Sequence, residues 1–281
     1  MKKFNKYIEW SVLLFCTGVV LFFLFVIVFD IASKGWRAVS WDFISQKPQK
    51  AMTQGGILPA ILGTVMLTLL TALFCIPFGV CSAVYLNEYA TDNYLTKAIR
   101  ASIRNLSGIP SIIYGLFGLA LFVQGMHLGT SMLSAGLTLG LLSLPYIITT
   151  TEEALRRIPN STREAALGVG ATQFESIKDV VLPSAMPGIL TGVVLTLSRA
   201  AGETAPILFT GVAFFITGKS GNVNNEFMAL PYHLYMLSTQ HQAIQQVRPL
   251  AYATALVLIA VVFLLSLTAF YIRYKYTKDD K

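Results

Sequence analysis

The sequence SVLLFCTGVVLFFLFVIVFDI, residues 11–31, has no charged residue before Asp30. An α-helix needs about 20 apolar residues to cross the roughly 30 Å of hydrocarbon in a bilayer. A strand of a membrane β-barrel would instead show about ten residues of alternating polarity. This run and the run at residues 250–272 are apolar on every side. The sequence therefore predicts an all-α integral membrane protein.

Composition supports this prediction over the whole chain. Hydrophobic residues make up 54% of the 281 residues and charged residues only 12%, about half the charged share of a soluble domain. The first run is too long for a signal peptide and lacks a small-residue cleavage site, so we expect an uncleaved helix. Six transmembrane helices are predicted: Ser11–Ile31, Ile57–Tyr85, Ile109–Val123, Met132–Thr149, Met186–Phe215 and Leu250–Ile272.

The distribution of Lys and Arg predicts the orientation. Alternate loops on one side of the predicted membrane hold 14 Lys and Arg residues, and the loops on the other side hold 6. The richer side of a membrane protein is usually cytoplasmic, so both termini are predicted to lie in the cytoplasm. The net charge of +7 has the same topological origin, and no nucleic acid partner is expected.

The predicted helices divide the chain into three parts. Residues 1–56 form an N-terminal transmembrane helix and its outer loop, residues 57–273 a transmembrane domain, and residues 274–281 a cytoplasmic tail. The sequence contains neither an internal repeat nor a low-complexity tract. The domain is therefore expected to be one helical bundle.

Two connecting segments of the domain are too long to be simple turns. The cytoplasmic segment 151–184 is predicted to form two short helices joined at Gly168–Gly170, with breaks at Pro159 and Pro183. The outer segment 218–248 is too apolar for a free loop. It is predicted to pack over the mouth of the bundle or to re-enter it in part.

The cytoplasmic segment carries the most specific motif. Its spaced positions are Glu164, Ala165, Ala166, Gly170, Val180, Leu182 and Pro183. The two alanines make a slim helix face, Gly170 permits a sharp turn, and Glu164 offers a charge to a partner surface. The spacing resembles the signature loop of binding-protein-dependent ABC importer permeases, which implies a coupling helix that docks on a separate ATPase. The alternative is a loop helix that only caps the bundle.

A charged pair lies inside the fifth predicted helix. Arg199 lies about 18 Å beyond Pro187, near mid-membrane, and Glu203 follows on the same helix face. Charges at this depth are costly and functional by default. The planar fork of Arg199 suits an oxyanion, while Glu203 would hold Arg199 and keep the anion from binding too tightly. The alternative is an ion pair that only fixes helix packing.

Three further motifs narrow the resemblance. They are NLSGIPSIIYGLFG at residues 105–118, GETAPILFT at 202–210 and FMALP at 227–231. These motifs are similar to the phosphate-uptake ABC importer permeases, and to their A-type subunit more than to its C-type sister. The likeness implies a type I, MetI-like permease bundle of six helices. It also places Arg199 and Glu203 at the positions that the family uses for phosphate passage.

Three other residues of these motifs are predicted to support the pathway: Asn105, Ser107 and Thr204. Ser107 lies near a helix start whose backbone N–H groups can face an anion. A plain helix cap at the membrane surface fits that position equally well.

The same resemblance implies the partners of the chain. They are a C-type sister permease that completes a heterodimer, a dimer of ATP-binding subunits, and an extracytoplasmic phosphate-binding protein that delivers inorganic phosphate across a bacterial cytoplasmic (inner or cell) membrane. No cofactor is expected in this chain, because ATP and Mg are used by the partner ATPase. The chain itself is predicted not to be an enzyme. Gly218-Lys219-Ser220 matches only the end of a phosphate-binding loop, since Ala213 stands where that loop requires Gly.

Other functions are compatible with parts of the sequence. The same architecture could import another oxyanion, namely phosphonate, sulfate or molybdate. A self-sufficient channel or secondary carrier could use Arg199 and Glu203 as a gate or proton relay, and a membrane scaffold would use neither. No metal site is predicted, because His127, His233 and His241 are scattered without Asp or Cys at ligand spacing.

Overall fold

Helices make up most of the chain in the computed structural model, which describes residues 2–50, 52–216 and 222–279. The α-helices, in chain order, are α1 (Lys2–Gly35), α2 (Trp41–Ser45), α3 (Leu58–Val84), α4 (Tyr94–Leu106), α5 (Ser111–Gly118), α6 (Met132–Arg156), α7 (Asn160–Gly168), α8 (Gln173–Glu175), α9 (Leu182–Ala200), α10 (Ala205–Leu208), α11 (Leu230–Tyr235) and α12 (Ile244–Asp279). A two-residue antiparallel pair, β1 (Pro48–Gln49) with β2 (Gln54–Gly55), lies between α2 and α3. The all-α prediction is confirmed.

Five helical segments of the described chain are long and apolar enough to cross a membrane, namely Trp10–Ala38, Leu58–Tyr89, Met132–Arg156, Gln173–Ala200 and Ile244–Lys275. A sixth crossing requires the pair Tyr94–Leu106 and Ser111–Gly125, which is bent by 103°. The predicted number of six is reached when this bent pair counts as one span.

The third predicted span, Ile109–Val123, is only one limb of that bent pair. Its apolar limb begins at Ser111, while the preceding α4 carries Lys97, Arg100 and Arg104 and is amphipathic. Pro110 marks the bend, because proline removes a backbone donor and disfavours a helical conformation in the residue before it.

The fifth predicted span, Met186–Phe215, is wrong as a continuous helix. α9 ends at Ala200, and within the predicted span only the four residues of α10 are α-helical beyond the break. A proline at position 206 would clash with the carbonyl four residues earlier in a continuous helix. The break is the correction that matters most, because it contains Glu203 and Thr204.

The cytoplasmic segment also differs from its prediction. The first of its two short helices is α7, followed by a turn at Gly170, whose φ of +91° is in the left-handed region. The second is not separate, since the helical segment Gln173–Ala200 runs on through Pro183. A wide π-type turn precedes this proline and relieves the clash of its ring with the helix backbone.

The chain divides into two compact units. The first consists of Met1–Leu58 and Met236–Val257, and the second of Pro59–Tyr235 and Leu258–Lys281. In the first unit, the part of α1 from Trp10 to Phe29 is largely apolar and exposed, and the Ser40 hydroxyl accepts a hydrogen bond from the Phe43 N–H to cap α2.

The core of the second unit lies along α6. Near its C-terminal half, Ile147 and Leu155 pack with Val181, Ala185 and Ile189. A second buried cluster surrounds its N-terminal half: Leu67, Tyr114, Met132, Ala135, Leu139, Leu142, Ile207, Phe227 and Ala229. Burial of such apolar side chains stabilises the bundle wherever they leave water. α6 is thus the central helix of this unit.

The described part of the outer segment 218–248 starts at residue 222, because residues 217–221 lie outside the described ranges. Residues 227–230 are almost completely buried. Backbone hydrogen bonds join Phe227 to Gly211 and Ala213, and the Leu230 N–H donates to the Thr64 hydroxyl at 2.8 Å. Residues 227–230 therefore pack into the second unit, as the apolar composition of the segment predicts, whereas the Gly218-Lys219-Ser220 sequence falls outside the described residues.

Candidate functional site

The predicted charged pair forms at the break after α9. The Arg199 Nε lies 3.4 Å from the Glu203 Oε1, with 53% of the Arg199 side chain and 17% of the Glu203 side chain exposed. The prediction that both lie on one helix face is wrong, because the helix ends at Ala200. The break places Glu203 beside Arg199 without a helix between them.

Arg199 keeps most of its donors available. Only Nε donates to Glu203, and the terminal guanidinium nitrogens make no hydrogen bond to any residue in the described part of the chain. At 3.4 Å the bond to Glu203 is long for a charge-assisted contact, which is typically 2.7–2.9 Å. The pair therefore orients Arg199 without consuming the N–H fork that an oxyanion would use.

Tyr146, on α6, is the residue of this site that sequence reasoning missed. The Arg199 Cζ lies 4.5 Å from the centroid of the Tyr146 ring, within the range of a cation–π interaction. The Tyr146 hydroxyl donates to the Ser107 carbonyl at 2.9 Å. A polar aromatic residue in mid-span was the available signal, but its partners lie 39 and 53 positions away.

The predicted supporting residues occupy different places. Ser107 joins the site through its carbonyl, while its hydroxyl donates to the Arg104 carbonyl at 2.6 Å. Asn105 is exposed beside it. Thr204 is half-buried at the start of α10, where its side chain makes no capping hydrogen bond.

The predicted coupling motif is presented on the surface of α7 and the turn after it. Glu164, Ala165 and Gly170 are exposed, whereas Ala166 is buried. Exposed apolar side chains flank them, namely Leu167, Val169 and Phe174. Leu182 is half-buried and Pro183 exposed at the start of α9. This arrangement offers one carboxylate and an apolar rim to a second surface.

Arg163 anchors α7 to the bundle. Its Nε and one terminal nitrogen donate to both carboxylate oxygens of Glu88, at 3.0 and 2.7 Å. Its terminal nitrogens also donate to the carbonyls of Ile158 (2.8 Å) and Leu155 (3.1 Å). The hydrogen bonds that Arg163 donates to the Glu88 carboxylate raise the pKa of Arg163 above its ordinary value. One side chain thus joins the coupling motif to the ends of α3 and α6.

A second arginine clamp holds α4. The Arg100 Nε donates to the buried Glu152 carboxylate at 3.1 Å, and a terminal nitrogen donates to the Leu86 carbonyl at 2.6 Å. Each clamp includes a residue near the end of the Leu58–Tyr89 segment, Leu86 in one and Glu88 in the other. α4 leads directly to Ser107. Neither clamp was predicted, because the pairing partners are 52 and 75 positions apart.

A search of the described residues for metal ligands finds no group of three or more His, Cys, Asp or Glu side chains that could hold an ion. The described side chains of the site are Arg199, Glu203 and Tyr146. The arrangement combines unbonded guanidinium donors on Arg199 with a carboxylate counter-charge on Glu203, and guanidinium donors of this kind match the oxygens of an oxyanion.

Residues 75–276 match the model of the binding-protein-dependent transport system inner membrane component family. The chain belongs to this family and is a multi-pass membrane protein of the ABC transporter permease class. Its long apolar helices agree with that assignment.

The chain is also similar in sequence to particular curated proteins. The chain is 37% identical over 239 residues, covering 84% of this chain and 81% of the relative, to the phosphate transport system permease protein PstA of Xylella fastidiosa (strain Temecula1). It is 31% identical to PstA 1 of Mycobacterium tuberculosis (strain CDC 1551), over 88% of this chain and 82% of that one. A probable ABC transporter permease protein of Bacillus subtilis, YqgI, is 35% identical over 69% of this chain and 66% of its own length. The predicted resemblance is confirmed.

Solved structures confirm the predicted MetI-like permease fold. A chain of the MetNI methionine ABC transporter in an inward-facing conformation superposes with a TM-score of 0.62 at 19% identity, over 78% of this chain and 95% of that chain. A chain of a bacterial alginate ABC transporter superposes with a TM-score of 0.67 at 16% identity, over 98% of this chain and 96% of that chain.

Proposed function

We propose that this chain is the membrane permease subunit of an ATP-driven importer of inorganic phosphate. The observation that carries the proposal is the likeness to PstA permeases over more than four fifths of the chain. The guanidinium of Arg199, with free N–H donors at a helix break, supplies the anion chemistry that such a permease requires.

Arg199 binds phosphate during its passage, and the other groups of the site adjust that binding. Tyr146 holds the guanidinium plane and Glu203 offsets its charge, so that phosphate is released again. Ser107 supports this arrangement through Tyr146. Asn105 and Thr204 support the pathway.

The coupling motif transmits the motion of the ATPase. Glu164, Ala165 and Ala166 on α7 dock in a cleft of the ATP-binding subunit, and Gly170 forms the turn. The long helix from Gln173 then carries Leu182 and Pro183 and leads toward Arg199. ATP and Mg are bound by that partner, and this chain provides no ATPase site.

The complete importer needs further chains. A C-type sister permease forms the other half of the pathway, and an extracytoplasmic binding protein delivers phosphate. Both termini lie in the cytoplasm of the bacterium, because Lys and Arg are concentrated in the loops on that side.

Reconstitution tests this function directly. The chain is assembled in liposomes with candidate sister permease, ATPase and binding protein, and ATP-dependent uptake of radiolabelled phosphate is measured. Arg199→Gln should abolish uptake in an assembled complex. Arg104→Gln is the matched control, because the Arg104 side chain makes no ion pair or hydrogen bond with the residues described.

Each alternative gives a different result. Stronger competition by unlabelled sulfate, phosphonate or molybdate than by phosphate would assign another oxyanion. Uptake by this chain alone without ATP would favour a carrier, and undiminished uptake by Arg199→Gln would reduce Arg199 to a packing residue.

A further inference from the structure

A basic pocket lies at the C-terminal end of α1, within the first unit. Lys34, Arg37 and Arg248 provide three cationic side chains around a cavity of about 530 Å³. The remaining wall is formed by Ser33, Gln245, Pro249 and Tyr252. This pocket is far along the chain from Arg199 and plays no part in the site proposed above.

The positive charge of the pocket is only partly neutralised. Lys34 pairs with Asp30 at 2.5 Å, and its ammonium lies 5.2 Å from the centroid of the Tyr252 ring. Neither Arg37 nor Arg248 forms an ion pair or a side-chain hydrogen bond with any residue described in the structure. Two guanidinium forks, whose geometry matches phosphate oxygens, therefore have no acceptor among the described residues.

The walls of the pocket are held by close backbone packing. Gly35 lies against the backbone of Tyr252, where a Cβ on Gly35 would lie 2.7 Å from the Tyr252 carbonyl oxygen. Only glycine permits this approach, which fixes Lys34 beside the first turns of α12. The cations are thus gathered around a preformed cavity, and a ligand need not assemble them.

The sequence around the pocket places it at the surface of the bilayer. The side chains of α1 from Trp10 to Phe29 are largely apolar and exposed, as expected of a surface in contact with acyl chains. Trp36 and Trp41 follow directly and are 73% and 79% exposed. Tryptophans concentrate at the headgroup level of membranes, so the pocket lies where lipid phosphates lie.

We infer that this pocket binds a phosphate oxyanion, supplied by the headgroup of an anionic phospholipid whose acyl chains lie along α1. Free inorganic phosphate presents the same oxygens and is the second source of this chemistry. The inference needs neither the proposed transport function nor a particular orientation of the chain, because both leaflets present phosphate at this depth.

Lipid retention and phosphate binding distinguish the two sources. The full chain is purified in nanodiscs of phosphatidylcholine with or without phosphatidylglycerol, and retained lipid is counted by native mass spectrometry after release into detergent. Equilibrium binding of radiolabelled phosphate is measured in the phosphatidylcholine discs. Arg37→Gln/Arg248→Gln is compared with Lys47→Gln/Lys50→Gln, which removes two charges from the same unit outside the pocket.

The amount of phosphatidylglycerol retained should fall about fivefold for each arginine removed, or roughly 25-fold in the double variant. It should be unchanged in the lysine control. Arg37→Lys/Arg248→Lys should retain more lipid than the glutamine variant, because it keeps the charge but loses the fork. If Arg37→Gln/Arg248→Gln loses radiolabelled phosphate binding but retains as much phosphatidylglycerol as the wild type, the pocket binds free phosphate. If the arginine and lysine variants behave alike in both measurements, the pocket has no such ligand.

Discussion

The anchor between Arg163 and Glu88 gives the sharpest test of how α7 is held. In Arg163→Met, Glu88 keeps a buried carboxylate, with 6% of its side chain exposed, and the two carbonyls lose their donor. Removing one partner of a buried ion pair costs about 3–5 kcal/mol. Because 19% of the Arg163 side chain is exposed, we expect the lower value, about 3 kcal/mol, which is a factor of roughly 150 in the ratio of docked to undocked α7.

Hydrogen exchange measures this effect locally. Amides of α7 should exchange up to about 150-fold faster in Arg163→Met than in the wild type, within the limit set by unprotected exchange. Phosphate uptake per ATP hydrolysed by the assembled importer should fall in parallel. Arg157→Met is the matched control, since the Arg157 side chain is exposed and makes no hydrogen bond or ion pair within the described chain.

A double variant separates the ion pair from general damage. Glu88→Leu/Arg163→Met removes both charges, so no buried carboxylate remains unpaired, and much of the protection of α7 should return. If Arg163→Met leaves exchange in α7 unchanged, or if the double variant is the more damaged of the two, the anchor does not hold this helix.

Three further variants test the remaining contacts. Tyr146→Phe should lose only the hydrogen bond to Ser107, about 1 kcal/mol. Tyr146→Leu also loses the ring beneath Arg199, so uptake at limiting phosphate should fall further than in Tyr146→Phe. Equal losses of uptake in the two variants would contradict a role for the ring. Gly170→Ala should cost about 1–2 kcal/mol because of its positive φ and reduce uptake per ATP, whereas Gly168→Ala, in open helical surroundings, should not. Burial lowers the pKa of His233 from 6.5 to about 4, so the unfolded chain binds a proton that the folded chain does not, and stability should fall by up to about 3 kcal/mol between pH 6.5 and 4. Thermal melting of His233→Leu in detergent should show a smaller decrease over this range, and an equal decrease would assign the acid sensitivity to other groups.

Sequence reasoning succeeded where the signal is local. Long apolar runs identify membrane helices because a bilayer imposes a fixed length on them, and the motif from Glu164 to Pro183 is read within twenty residues. It failed at helix continuity, since Met186–Phe215 is apolar enough to continue across the break at Gly202–Thr204. Pro206 is the local signal for this break, because proline disfavours a continuous helix.

By itself, the sequence determined that this chain is a helical membrane protein, where the motif from Glu164 to Pro183 lies, and that Arg199 and Glu203 are close enough to pair. Only the tertiary structure decided that Tyr146 supports Arg199, that Arg163 reaches Glu88, and that Arg37 and Arg248 share one pocket. The physical reason is separation along the chain. A bilayer and a helix turn act on neighbouring residues, whereas ion pairs and pockets depend on which helices pack together, and that packing is set by apolar side chains far from the charges themselves.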